Sequence, residues 1–283
     1  MTKKLRPKQK QKRPGFEENL QPKSLTAPIE YSKEGKLVDK VAIITGADSG
    51  IGKAVALLFA KEGAHISFCY LSETIDAKDT KSKILNFGRK CKMLKLDVSK
   101  EKNCQKLIDE TISYFGKIDI VVNNAGLHWE SKSLEDISTK QLDQTFKNNF
   151  YSYFWITKFS LPFLKKGASI INTTSVTAYR GSDHLIDYAA SKGAIIAFTR
   201  SLSKNLAEKQ IRVNGVAPGP IWTPLIASTF DGKHNSEFGS EQPLKRAGMP
   251  YEVAPSYLFL ASEDSSYISG QILHPNGGES VNG

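Results

Sequence analysis

Val41-Ala42-Ile43-Ile44-Thr45 runs directly into Gly46-Ala47-Asp48-Ser49-Gly50-Ile51-Gly52, and an amphipathic stretch continues to Lys61. The first segment is a short, β-rich apolar run. The second is a glycine-rich turn, and the third has the period of a helix. A strand feeding a helix through such a turn is the opening unit of an α/β fold. Glycines let the backbone turn tightly and approach a ligand closely. The helix start adds free N–H groups and partial positive charge, which suit a pyrophosphate. The spacing is Gly-x3-Gly-x-Gly rather than the commoner Gly-x-Gly-x-x-Gly. Two other readings stand beside it. A P-loop is suggested by Gly52-Lys53, but it misses the spacing by one residue, and Ala54 replaces the hydroxyl that would hold Mg²⁺. A plain tight turn between strand and helix needs no ligand.

The alternation persists outward from this unit. Apolar β-rich runs are expected at 65–70, 92–96, 118–122, 169–174, 211–216 and 271–274. Helices are expected between them, at about 72–87, 101–114, 139–164, 187–208 and 253–261. The strands are nearly continuous apolar runs, which is the pattern of a parallel sheet covered on both faces. The expected fold is therefore α/β: a single-domain, Rossmann-type, doubly wound parallel sheet of about seven strands. No break divides 37–283 into two domains. A long connection, 218–249, precedes the last helix. In such a sheet ligands bind beyond the carboxyl ends of the strands. Residues 45–52, Asp97, 123–126, 172–175 and 218–223 therefore carry the functional weight.

One of these strand ends carries catalytic-type residues. Ser175 closes an apolar run, Tyr188 follows thirteen positions later, and Lys192 four after that. Positions i and i+4 share a helix face, so phenol and ammonium point the same way. A cation beside a phenol lowers its pKa from about 10, making Tyr188 a candidate proton donor and acceptor. Read singly, Asn149 is a polar helix residue, Asn123 and Asn124 are turn formers, and Asp97 is a helix cap.

Taken together these residues resemble the short-chain dehydrogenase/reductase family over about 37–283. Thr45-Gly46-x3-Gly50-Ile51-Gly52 is similar to its cofactor turn and Asn123-Asn124-Ala125-Gly126 to a second motif. Asn149, Ser175, Tyr188 and Lys192 are similar to its catalytic set, and Pro218-Gly219-Pro220-Ile221-Trp222-Thr223 to its nicotinamide loop. The resemblance implies Tyr188 as general acid in the reducing direction, Lys192 lowering its pKa and binding the nicotinamide ribose, and Ser175 orienting the carbonyl. It implies Asn149 holding a water of a proton relay. It also places Gly46, Ser49, Gly50, Ile51 and Gly52 around the pyrophosphate, and Asp97 and Val98 at the adenine. Asn124, Ala125 and Gly126 line the cleft, and Pro218, Gly219, Ile221 and Thr223 contact the nicotinamide half. Tetramers are usual in the family, through the helices from 139 and 187 and the C-terminal region.

The second strand ends in Tyr70, followed by Leu71-Ser72-Glu73, where an acid would favour NAD. No carboxylate at Tyr70 removes repulsion of a 2′-phosphate, so NADP(H) is favoured and NAD(H) is possible, although neither Ser49 nor Leu71 is a cation. Trp129, Tyr179, Leu185, Trp222 and Phe230 are candidates for an apolar pocket or for ordinary packing. The expected function is NAD(P)(H)-dependent interconversion of a small-molecule carbonyl and an alcohol. The alternative is a non-catalytic dinucleotide sensor or scaffold on the same fold.

Composition sets the outer limits. The 283 residues are 40% hydrophobic and 24% charged, with no apolar run near the length of a membrane span. The N-terminus lacks the apolar core of a signal peptide. Cys69, Cys91 and Cys104 form no CxxC pair, which suits a reduced, cytoplasmic protein. The histidines have no metal-ligand spacing, so no metal is expected. Of the +10 net charge, residues 1–36 hold ten Lys/Arg against four Asp/Glu, leaving +4 for the remainder. This proline-punctuated arm reads as a solvated extension; nucleic-acid binding through it is the weaker reading.

Overall fold

In the computed structural model, residues 35–281 are described. The basic arm expected over 1–36 lies almost wholly outside them. Its last residue does not: the Lys36 amide donates to Glu62 Oε2 (2.9 Å) and its ammonium pairs with Asp264, just before Leu37, the buried first residue of the domain.

Seven parallel strands form one sheet in the order β3-β2-β1-β4-β5-β6-β7. In chain order the elements are β1 (Val41–Thr45), α1 (Gly50–Lys61), β2 (His65–Tyr70), α2 (Thr74–Asn86), β3 (Cys91–Lys95), α3 (Glu101–Phe115) and β4 (Ile120–Asn123). Then come α4 (Thr139–Phe146), α5 (Ser152–Ser160), β5 (Ser169–Thr173), α6 (Thr177–Arg180), α7 (Ile186–Asn205) and β6 (Arg212–Val216). The chain closes with α8 (Pro224–Thr229), α9 (Gly232–Glu237), α10 (Pro250–Ala261) and β7 (Ile272–Leu273).

Strand periodicity sorts the core into two layers. Ala42, Ile44, Ile120 and Val122 face one side, with Val55 and Phe59 of α1, Ala77 and Ile84 of α2, and Val253 and Tyr257 of α10. Ile43 and Val121 face the other, with Cys104, Leu107 and Ile108 of α3 and Ile156 of α5. Both faces being covered explains why the strands read as continuous apolar runs. The chain reverses direction across the sheet between β1 and β4. A crevice opens there, beyond the strand ends.

Three expectations need correction. The single helix expected over 139–164 is interrupted by a π turn, Lys147–Tyr151. The i→i+5 turn inserts an extra residue without disturbing the apolar period enough to be read. The 218–249 connection contains α8 and α9, neither of which buries any residue. Strands 3 and 4 sit one or two residues from their expected places, because apolar residues outside a ladder still pack in the core.

Candidate active site

The cleft at the switch point has a volume of about 780 Å³, within the range of cofactor and small-molecule sites. Its first wall is the turn between β1 and α1. Gly46 (φ +64°) and Gly50 (φ +53°) take left-handed conformations that side chains resist. A Cβ on Gly52 would lie 2.1 Å from the Gly46 carbonyl oxygen and 2.6 Å from Asn124 Nδ2. Gly52 thus does not line the cleft; it lets the turn close on itself. Ser49 makes no side-chain cap to α1, its hydroxyl donating instead to Asp48 (3.0 Å), so the first N–H groups of the helix stay available to an anion.

The end of β4 is tied to that turn. The Thr45 hydroxyl accepts from the amides of Asn124 and Ala125 (both 2.9 Å), and Asn124 Nδ2 donates to the carbonyls of Thr45 (3.0 Å) and Gly46 (3.1 Å). Asn123 is no turn former: it is buried and donates to Thr157 (3.1 Å) and Asn172 (2.9 Å). Asp97 caps no helix. Its carboxylate accepts from the Ser99 amide and hydroxyl in an Asx turn, and it lines the cleft with Val98. Tyr70, Leu71, Ala125, Gly126, Pro218, Gly219, Ile221 and Thr223 all line it too.

The structure brings Ser175, Tyr188 and Lys192 together at the cleft floor. Ser175 Oγ accepts from the Thr177 amide (3.2 Å) and meets the Thr177 hydroxyl at 3.0 Å. Lys192 is 2% exposed; its ammonium donates to the Thr173 carbonyl (2.9 Å) and the Tyr153 hydroxyl (3.4 Å), and lies 5.6 Å from the Tyr188 ring centre. Desolvation here runs against the lowering expected from the lysine. Burial pushes the Tyr188 phenol up to about 12, with the Ser175 hydroxyl pulling the other way. Burial also pushes Lys192 down to about 7. Desolvation disfavours both charged forms, and the ammonium spends its hydrogen bonds on Thr173 and Tyr153. Tyr188 therefore stands as a neutral, protonated phenol at physiological pH. Tyr153 and Thr173 have no sequence signature, because their role is to hold Lys192 from behind.

Asn149 is no solvated helix residue. It is fully buried in the π turn, where its Oδ1 accepts from the Leu127 amide (2.9 Å) and its Nδ2 donates to the Leu127 carbonyl (2.8 Å) and toward Ser191 (3.2 Å). A Cβ on Gly126 would lie 3.4 Å from both Asn149 Oδ1 and Lys192 Nζ. Asn149 thus sits directly behind the cleft wall.

Residues 46–280 match the family described as enoyl-(acyl carrier protein) reductase. The NADPH-dependent aldehyde reductase 1 of Arabidopsis thaliana chloroplasts is 49% identical over 97% of this chain and 98% of its own. The chain belongs to the short-chain dehydrogenase/reductase family. The glucose and ribitol dehydrogenase of Daucus carota is 47% identical over 98% of this chain and 97% of its own. A Burkholderia cenocepacia short-chain dehydrogenase solved with NADP superposes with a TM-score of 0.82 at 30% identity, covering 86% of this chain and 99% of that one. Like other short-chain dehydrogenases/reductases, the protein is an NAD(P)-dependent oxidoreductase interconverting carbonyls and alcohols. The lining fits such a cofactor: Gly46, Gly50, Gly126 and Gly219 leave backbone bare along the cleft, next to the open start of α1.

The cofactor end departs from expectation in one respect. Tyr70 ends β2, its hydroxyl 3.3 Å from that of Thr74, but Glu73 also lines the cleft. Its carboxylate accepts from the Ser72 hydroxyl and amide, and these bonds hold its pKa down. A carboxylate is thus present three residues later than the position read for it. Lys95, in register with Tyr70 on β3, lowers the same pKa. Of the apolar candidates, Leu185 and Phe230 line the cleft, Trp222 packs toward Phe238 (6.4 Å between centres), and Trp129 and Tyr179 lie outside it. His128 lines it unanticipated. Among the described residues, no helix is long and apolar enough to cross a membrane, and no His, Cys, Asp or Glu side chains gather in groups of three or more to hold a metal.

Proposed function

We propose that the enzyme reduces small aldehydes, sugars or their open-chain forms, and oxidises the matching polyols, with Tyr188 as the acid and base. The observation that carries this is a half-buried phenol set beside Ser175 and Lys192 at the floor of a cleft with glycine walls. When bound, the nicotinamide cofactor supplies or accepts the hydride. Tyr188 donates its proton to the carbonyl oxygen as negative charge develops there. Ser175 supplies a second hydrogen bond to that oxygen, and such fixed donors stabilise the developing charge. Lys192 binds the nicotinamide ribose and offsets the phenolate left by proton transfer. Asn149 holds the 126–128 segment against the site and supports a water of the proton relay.

Gly46, Ser49, Gly50, Ile51 and Gly52 shape the pyrophosphate turn. Asp97 and Val98 flank the adenine, Asn124, Ala125 and Gly126 the middle of the cleft, and Pro218, Gly219, Ile221 and Thr223 the nicotinamide end. NADP(H) is the preferred dinucleotide: Tyr70 replaces a carboxylate, Ser72 occupies Glu73, and Lys95 supplies a cation beside Tyr70. The NADP-bound relative supports the same preference. Residues 37–283 act as one catalytic domain in a homotetramer, with half-exposed Leu142, Tyr151 and Phe154 on one helical stretch as contact surface. The setting is cytoplasmic, consistent with three free, buried cysteines.

The test is a panel of short aldehydes, aldoses, ketones and polyols, followed by NADPH and NADH absorbance. Reduction of aldehydes or aldoses with NADPH is expected. Tight dinucleotide binding without turnover on any member would favour the sensor reading instead.

A further inference from the structure

Seven buried side-chain atoms among the described residues have no hydrogen-bond partner, and only two of them, His128 Nδ1 and Gln242 Oε1, belong to residues that line the cleft. Gln242 sits at the far side, against Gly277. His128 sits at the chemistry: its ring centre is 5.0 Å from that of Tyr188, edge to face, and it is 7% exposed. Its placement is fixed, because Asn149 holds both the amide and the carbonyl of the preceding Leu127. Phe230, 5.7 Å away between centres, covers the imidazole, and the flanking helices α8 and α9 bury none of their residues. A buried ring nitrogen without a partner is a cost that a ligand can remove.

We propose that His128 hydrogen-bonds a hydroxyl of the substrate on the carbon next to the reacting one, in the space Phe230 fills, and so selects hydroxylated aldehydes and polyols over plain ones. This deepens the oxidoreductase reading above and rests on it. Burial, with the nearby Lys192 and His184 charges, holds the imidazole down to about 4. It stays neutral, with one donor and one acceptor nitrogen, and either can meet a hydroxyl. As a positioning residue His128 acts on the substrate's neighbouring carbon and takes no proton from the reacting oxygen.

The test compares kcat/KM for D-glyceraldehyde and propanal, with NADPH, in the wild type, His128→Phe and His128→Gln. Loss of a hydrogen bond to a buried partner makes the glyceraldehyde-to-propanal ratio fall about tenfold or more in His128→Phe; His128→Gln recovers part of it. An equal fall for both aldehydes marks a merely structural residue and overturns the proposal, as does an unchanged ratio. A second readout is independent of turnover. In ¹⁵N-histidine-labelled protein with NADPH, which cannot accept hydride from an alcohol, the Nδ1 resonance missing from His128→Phe moves on adding ribitol; a resonance that stays put overturns the proposal. If the wild type reduces neither aldehyde, the reading of the substrate class fails, and the resonance alone decides the role of His128.

Discussion

Replacing Lys192 with Met should stabilise the cofactor-free protein while abolishing turnover. The ammonium is buried and held down to about 7 from its ordinary 10.5. At about 1.36 kcal/mol for each tenfold change in proton affinity, the fold bears a cost of roughly 5 kcal/mol for carrying that charge. Methionine fills similar space without it. The change forfeits the bonds to Thr173 and Tyr153, although the Thr173 carbonyl keeps the Tyr153 hydroxyl as a donor (3.3 Å). Allowing about 1–3 kcal/mol for what is lost leaves a net gain of about 2–4 kcal/mol, a rise in Tm of several degrees. The pH dependence carries the sign. A lysine depressed in the fold costs most below its folded value, where the fold must charge a buried amine that the unfolded chain charges freely. The advantage of Lys192→Met should therefore be full below about pH 7 and shrink as pH rises toward 10.5. Chemical denaturation of the cofactor-free proteins at pH 6.5 and pH 9.5 measures it. A variant less stable than wild type at pH 6.5, or a difference independent of pH, would refute the reasoning.

Gly52→Ala should lose NADPH binding and at least 2 kcal/mol of stability (about the scale of overpacking), since its Cβ would press on backbone at 2.1 Å; fluorescence titration and thermal melting check both. Asn149→Ala strips both partners from Leu127 and should cost about 1–3 kcal/mol, with a larger fall in kcat than in NADPH affinity. Lys95→Glu should raise KM for NADPH roughly fivefold, an effect that shrinks with added salt, and leave KM for NADH nearly unmoved.

Much of this was legible in the residues alone. Ile43 and Val121 versus Ala42 and Ile44 announce a sheet buried on both faces, and Gly46, Gly50 and Gly52 announce the turn. Local period and local spacing carry that information. What escaped depends on partners distant in sequence. The π turn at 147–151 adds one residue to an unbroken helical period, and only its contact with Leu127 gives it purpose. Tyr153 reaches Lys192 across 39 positions, so nothing near it in sequence marks it. The desolvation around Tyr188 and Lys192 escaped for the same reason. Spacing shows that a lysine shares its face, but not that burial outweighs the cation or that Thr173 has taken the ammonium's hydrogen bonds.

The central claim is that the Tyr188 phenol hands over the proton at the floor of the cleft. Turnover of an accepted aldehyde by Tyr188→Phe, at saturating NADPH and with dinucleotide affinity measured alongside, tests it most directly. The account predicts a fall in kcat of about 10²–10⁴-fold with NADPH affinity within a fewfold of wild type. Wild-type turnover in that variant would contradict it.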